Sequence, residues 1–463
     1  MSIWLPDLSR RTGPRYQALA AAIGDAVTSG ELRPGQRLPP RRDLADRLGL
    51  SVSTVSSAYL EAERRGLVTG EVGRGTYVRP PAANGEPRWF TEGRPADLID
   101  LSVCRPCIDP LHVERLRTVL AALAEGDDFA WMLACRPVVG LDRHRQAAVR
   151  WLARIGVAAR PEQVVLTNGC AHALTVALAT LTEPGDGVAT EALTDHGLIS
   201  LASVLHFRLV PLAIDDHGIV PDAFEAACRD GAVKVLVTTP TLNNPTVALM
   251  PEDRRREIAR IARAHGVAIV EDDVFRPLLP DPPPPIAAFA PDLTLYVTSF
   301  TKAAVSGLRT GYLVAPEPLV MRLVARVRTT TWMATPAVAE IATRWIDDGT
   351  LADLVAWQQR ELSWRQQLVH GLLGDQDHVA HPTGINVWLR LPPPWRASAF
   401  VEHARLAGVA LTGPEPFMVG RASEPHAVRL SVGPPRTRAQ LEHGLRLVRD
   451  LLARRTEPVP IDI

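Results

Sequence analysis

The chain has 463 residues, 46% hydrophobic and 22% charged, enough for two or three domains with large buried cores. Basic and acidic residues balance at 51 each, so net charge alone points neither to a nucleic-acid binder nor to a protein for acidic substrates. Five cysteines make no disulfide framework, and no leader-like or membrane-spanning apolar run occurs, so the expectation is a soluble, cytoplasmic protein.

Two averages conceal local structure. Lys234 and Lys302 are the two lysines; the other 49 basic residues are arginines, whose guanidinium stays protonated and cannot act as an amine nucleophile. Residues 1–80 hold twelve arginines against eight acids, a net +4, which leaves −4 for the rest of the chain.

Tyr16, Leu19, Ala20, Ile23 and Val27 recur at helical spacing and predict an amphipathic helix over 14–29, ended by Gly30 and Pro34-Gly35. A short second helix follows Pro39-Pro40 and turns Leu44 and Leu48 inward. Gly49-Leu50 makes a tight turn, and Ser51 is placed to cap a third helix with Val55, Ala58, Tyr59 and Ala62 on its apolar face. A strand at 67–69, the turn EVGRG and a strand at 76–78 complete the order of a winged helix-turn-helix.

This head, YQALAAAIGDAVTSGELRPGQRLPPRRDLADRLGLSVSTVSSAYLEAERRGLV…GRGTYV, closely resembles the GntR-type DNA-binding domain, over residues 11–79. The resemblance implies DNA contacts from Arg41 and Arg42 on the second helix, Ser51, Ser53 and Thr54 at the start of the third, and Arg74 in the wing. One position departs from the pattern: Val52 stands where the family often has an arginine. Residues 80–98, rich in Pro, Gly and charge, read as a linker.

From residue 99 onward strands alternate with long helices, the pattern of an α/β domain with a mostly parallel sheet, whose ligands bind at the carboxyl ends of strands. Four such ends carry polar residues. The strand 163–166 runs into Thr167-Asn168-Gly169 and a helix, whose free N–H groups suit a phosphate. The strand 233–238 ends in TPTLNNPT, 267–270 in Glu271-Asp272-Asp273, and 293–297 in Thr298-Ser299-Phe300-Thr301-Lys302, with Arg309 seven residues on. A buried carboxylate there requires a cationic partner. Lys234, inside AVKVLV, reads as a mid-strand structural residue without an acid near it. Cys104 and Cys107 form a lone CxxC without a second pair, and His378 and His381 read as surface loop residues, so no metal is expected.

Together these residues resemble the fold-type I, pyridoxal-phosphate-dependent aminotransferases, over 99–463, with a large subdomain at about 115–325 and a small one at about 326–463. The resemblance implies that Lys302 forms a Schiff base with pyridoxal 5'-phosphate and that Asp272 pairs with its ring nitrogen. It implies further that Asn244 bonds the phenolic oxygen, and that Ser299, Thr301, Arg309 and the backbone at Gly169, Cys170 and Ala171 form the phosphate cup. Arg429 in VRLSVG would bind an amino acid's carboxylate as a fork. Two departures bear on turnover. Phe275 replaces a tyrosine that would assist Asn244, and the aromatic that many members stack on the ring would fall within 191–197, at Asp195, which cannot stack, with neighbouring His196 as the alternative.

The joined head and body resemble the MocR-type regulators of the GntR superfamily. The resemblance implies a homodimer that binds a double-stranded DNA operator, holds the cofactor and senses an amine or amino-acid effector or the cofactor itself. The competing expectation is an active aminotransferase with an accessory head, which Lys302, Asp272 and Arg429 favour and Phe275 and Asp195 oppose.

Overall fold

The computed structural model describes residues 4–6, 8, 14–28, 31–32, 36–64, 67–71, 75–78, 98–126, 130–133, 135, 137–420 and 424–453. Arg74 and the expected linker, save its last residue, lie outside these. The chain divides into two compact units, 1–95 and 96–463.

In the first unit, α1 (Arg15–Thr28), α2 (Arg41–Leu48) and α3 (Val52–Arg64) precede an antiparallel pair, β1 (Val68–Glu71) and β2 (Gly75–Val78). Leu19, Ile23, Leu44, Val55, Tyr59 and Val68 meet in one core, the apolar faces that the helical spacing anticipates. Gly49 closes α2 at φ 64°, returning its N–H to Ala45 and Asp46 carbonyls; this left-handed turn is why the residue between the two helices is glycine. Tyr59 donates to the Pro39 carbonyl at 2.8 Å and so ties α3 to the entry of α2.

The second unit opens with β3 (Ile99–Asp100), α4 (Pro110–Ala124) and α5 (Asp142–Arg154). Then come β4 (Val164–Thr167), α6 (Cys170–Leu181), β5 (Gly187–Glu191), α7 (His196–Leu205), β6 (Arg208–Leu212), the short pair β7 (Ile214–Asp215) and β8 (Gly218–Ile219), and α8 (Pro221–Arg229). The chain continues through β9 (Val235–Thr238), α9 (Glu252–His265), β10 (Ala268–Asp272), β11 (Thr294–Thr298), β12 (Gly311–Val314), α10 (Glu317–Thr330), α11 (Pro336–Asp347) and α12 (Thr350–Leu373). It ends with β13 (His378–Ala380), β14 (Asn386–Arg390), α13 (Ala397–Leu406), β15 (Val409–Ala410), β16 (Ala427–Ser431) and α14 (Arg438–Ala453).

Seven strands form one sheet in the order β4-β12-β11-β10-β9-β5-β6. Its Val, Ile and Leu runs are buried on both faces, as parallel strands covered by helices must be. All neighbours are parallel except those of β12, which runs antiparallel to β4 and β11. That reversal has a consequence for the site. β12 begins where β4 and β11 end, with Gly311 opposite Thr167 and Tyr312 opposite Thr298. Arg309, two residues ahead of it, therefore stands on the same rim as the carboxyl ends of the parallel strands. A second sheet, β13-β14-β16, carries Arg429, and β3 pairs with β15.

Two expectations need correction. Lys234 precedes β9 and pairs with Asp186 at 2.6 Å, half exposed; the acid comes from the turn before β5, 48 residues away and invisible to a local reading. His378 is not in a loop but begins β13, opposite Leu389.

Helices α5 and α11 are joined by Glu340, whose carboxylate accepts from His144 at 3.0 Å, Arg143 at 3.0 Å and Arg344 at 3.2 Å. The His144 hydrogen bond, with the two arginines, lowers the Glu340 pKa to about 2 against the opposing effect of burial. A depressed carboxylate contributes stability that is present above its unfolded pKa, near 4.5, and lost as pH falls toward 2. Urea titrations should accordingly show less acid destabilisation between pH 5.5 and pH 3 (about the range of that loss) in Glu340→Gln than in the parent. An equal loss in both would remove Glu340 from the account.

Candidate functional site

Three consecutive acids close β10, and the structure treats each differently. Glu271 accepts the N–H groups of Ile286 and Ala287 at 2.9 and 2.8 Å and lies 3.8 Å from Arg255. Asp273 accepts from Tyr296 at 3.1 Å and Arg276 at 3.5 Å on Oδ2, while its Oδ1 is buried without a partner. The Oδ1 of Asp272 is likewise buried without a hydrogen-bond partner. Burial, then the charge of Asp195, raise its pKa to about 7, while the Val274 N–H and Lys302 pull the other way. The expectation of a cationic partner thus holds for Glu271 and Asp273, whereas no ion pair reaches Asp272 among the described residues.

The residues around Asp272 come from four other strand ends. At the end of β4, Gly169 caps α6 at φ 86°; a Cβ there would meet Arg309 Nη2 at 2.8 Å, so glycine is what lets the guanidinium approach. The first-turn N–H groups of α6, at Cys170 and Ala171, have no acceptor within the helix. Ser299 and Thr301, buried after β11, join hydroxyls at 2.7 Å. The Cys170 thiol is pushed up by burial and then by Asp272, against Ser299, Arg309 and Lys302. Those five side chains therefore share one neighbourhood. Lys302 donates from Nζ to the Cys104 carbonyl at 2.5 Å.

On the other side, Asn244 follows β9 and is 6% exposed. Its Nδ2 donates to Asp195 at 2.7 Å, and its Oδ1 accepts from Arg429 Nη1 at 2.7 Å. Arg429 is fully buried, donates also to the Ser102 carbonyl, stacks over Phe417 at 4.9 Å and leaves Nε unpartnered. Its burial lowers its pKa. Phe275 is 3% exposed within the apolar core and brings no hydroxyl to the site.

Sequence reasoning missed several members. Ser102 and Cys104 act through backbone carbonyls, which no side-chain pattern reveals; the Cys104-Cys107 spacing was the one local mark on that segment. Asn386 reaches Cys104 Sγ at 3.4 Å, and Thr412 reaches the Ser102 carbonyl at 2.9 Å.

In the head, Arg41 and Arg42 open α2 and are exposed. Ser51 caps α3, accepting the Thr54 N–H at 3.1 Å, and its hydroxyl lies 2.8 and 2.7 Å from those of Ser53 and Thr54. An exposed hydroxyl cluster at a helix start, next to two exposed arginines, suits phosphate and base-edge contacts.

The raised Asp272 carboxyl has a definite sign. A folded pKa above the unfolded one gives stability that is complete below about 3.8 and lost as pH rises through about 7. Without added ligand, Asp272→Asn should therefore lose less stability than the parent between pH 4 and pH 8 (about the span of that titration), measured by thermal unfolding. Parallel losses would contradict the buried, unpaired carboxylate.

Residues 96–448 match the family of aminotransferases class I and II, and 15–78 match the bacterial regulatory proteins of the gntR family. The HTH-type transcriptional regulator YdeF of Bacillus subtilis is 31% identical over 450 residues, covering 97% of this chain and 96% of its own. The HTH-type pyridoxine biosynthesis transcriptional regulator PdxR of Corynebacterium glutamicum is 27% identical, covering 77% of this chain and 78% of its own. Among solved structures, a kynurenine aminotransferase of Pyrococcus horikoshii superposes with a TM-score of 0.71 at 22% identity, over 77% of this chain and 91% of that one, a likeness of fold. The chain belongs to the MocR-type transcriptional regulators, a GntR-type DNA-binding head joined to a fold-type I, aminotransferase-like body.

Proposed function

We propose that the head, 11–79, binds a double-stranded operator, that 80–98 is a linker, and that the body, 99–463, holds pyridoxal phosphate on Lys302. An amine or amino acid, or the cofactor itself, is the effector. The observation that carries this reading is the buried Asp272 carboxyl with its unpartnered oxygen, electrostatically coupled to one of the two lysines in the chain. The similarity to PdxR, a regulator of pyridoxine biosynthesis, supports the same ligand class.

Bound pyridoxal phosphate supplies an aldehyde that condenses with amines and a ring that draws electrons once its nitrogen is protonated. The chain's own residues do the holding. Lys302 offers the amine, and Asp272 takes the ring nitrogen, where its missing partner would be found. Ser299, Thr301, Arg309 and the N–H groups of Gly169, Cys170 and Ala171 bind the phosphate. Asn244 has a second amide N–H for the phenolic oxygen, and Arg429 takes a ligand carboxylate. Phe275, which stands where the resemblance expects a tyrosine, carries no hydroxyl, so nothing from that position steadies the phenolic oxygen.

The effector switches the protein when it binds one arrangement of the body more tightly than another. A homodimer presenting two heads to two half-sites, through Arg41, Arg42, Ser51, Ser53, Thr54 and Arg74, converts that change into altered operator binding. Retention of Lys302, Asp272 and Arg429 favours a second reading, an aminotransferase with an accessory head; steady amino transfer to an oxo acid without operator binding would establish it.

Two measurements test the proposal. Borohydride reduction in the presence of pyridoxal phosphate, followed by peptide mass analysis, should leave a pyridoxyl adduct on Lys302; its absence overturns the cofactor assignment. Arg42→Ala should weaken operator affinity and lower the slope of log affinity against log salt by about 1, as the loss of one phosphate contact does. An unchanged slope overturns the assigned docking face.

A further inference from the structure

Asp195 stands at the start of α7 and serves two masters. Its Oδ1 accepts the Gly197 N–H at 2.8 Å and caps the helix; its Oδ2 accepts Asn244 Nδ2 at 2.7 Å. Asn244 in turn presents Oδ1 to Arg429 at 2.7 Å, and Arg429 also donates to the Ser102 carbonyl. The order of donors and acceptors along this line is fixed. An inverted Asn244 amide would point its N–H groups at the guanidinium and its oxygen at the carboxylate, a donor against donors and an acceptor against an acceptor. Each neighbour alone prefers the observed orientation, and together they exclude the other.

We propose that Asp195 is a positioning residue that presets the Asn244 amide, and through it the Arg429 guanidinium, as one unit before any ligand arrives. This rests on the reading in which Asn244 faces the cofactor and Arg429 takes a carboxylate. It goes beyond that reading by giving work to a residue that otherwise only fails to stack. An aromatic that stacks on the ring would hold the cofactor directly; Asp195 acts through an amide whose second N–H stays free for the ring's oxygen. Burial opposes ionisation of Asp195, but His196, the Gly197 N–H, Lys302 and the Asn244 amide hold its pKa below the usual carboxylate value, so the acceptor is ionised at neutral pH. Preorganisation of this kind raises affinity by removing the ordering cost from the binding step.

The closest test is Asp195→Asn, which matches the shape of the side chain and has one oxygen instead of two. With that oxygen capping α7, an NH2 group faces Asn244 and favours the inverted amide. Pyridoxal phosphate affinity, followed by absorbance titration of the full-length protein, should fall about tenfold, the scale for losing one hydrogen bond to a charged group. Asn244→Ala should lose a comparable factor, and the double variant no more than Asn244→Ala alone, because both act through one link. Asp195→Ser keeps the cap without the reach to Asn244. It should show the same loss of affinity with an unchanged thermal midpoint, which a purely structural role for Asp195 would not give. Parent-like affinity in Asp195→Asn, or losses that multiply in the double variant, overturns the inference while leaving the cofactor assignment intact. Absence of cofactor uptake by the parent protein overturns both.

Discussion

A carboxylate at the end of a buried strand has to be answered by a donor or a cation, and β10 ends in three of them. Glu271 and Asp273 are answered from within the fold, by backbone N–H groups, Arg255, Tyr296 and Arg276. Asp272 and Asp273 each keep one buried oxygen without a partner, but Asp273 has Tyr296 and Arg276 on its other oxygen, and no ion pair reaches Asp272 among the described residues. Free energy left unsatisfied in this way is what a ligand can recover, and the rest of the body is arranged around that one group. The β11 end brings Lys302, the β4 end brings the α6 N-terminus, and the reversed strand β12 brings Arg309 to the same rim. Had β12 been parallel, Arg309 would have stood at the opposite edge of the sheet.

Arg429 reaches Asp195 through the Asn244 amide, and Lys302 acts on Asp195 and Asp272 through its charge, pulling the pKa of both downward. Of the departures from the aminotransferase pattern, Phe275 carries no hydroxyl, and Asp195 binds the Asn244 amide.

The head was largely legible before folding, because its determinants are local. The apolar spacing predicts 14–29, and the helix runs Arg15–Thr28; Ser51 is read as a cap, and its hydroxyl accepts the Thr54 N–H. Strand ends in the body fall within a residue or two of the expected ones, since Val, Ile and Leu runs stop where polar residues begin. The misreadings have a common cause. Lys234 finds Asp186 across 48 residues, and His378 joins a strand through Leu389; partners so distant in sequence leave no periodic trace.

By itself the sequence determined which chemistry is available: one lysine in a polar strand end, an acid beside it, glycine before a helix, and a basic head of helical spacing. These are matters of residue type and short-range period, and side-chain chemistry does not wait for the fold. Tertiary structure decided which groups are spoken for. It paired Glu271 and Asp273 while sparing Asp272, turned the Ser102 and Cys104 carbonyls toward Arg429 and Lys302, and linked Asp195 to Arg429 through Asn244. Hydrogen-bond partnership depends on distances of a few ångströms between segments hundreds of residues apart, and folding alone sets those distances.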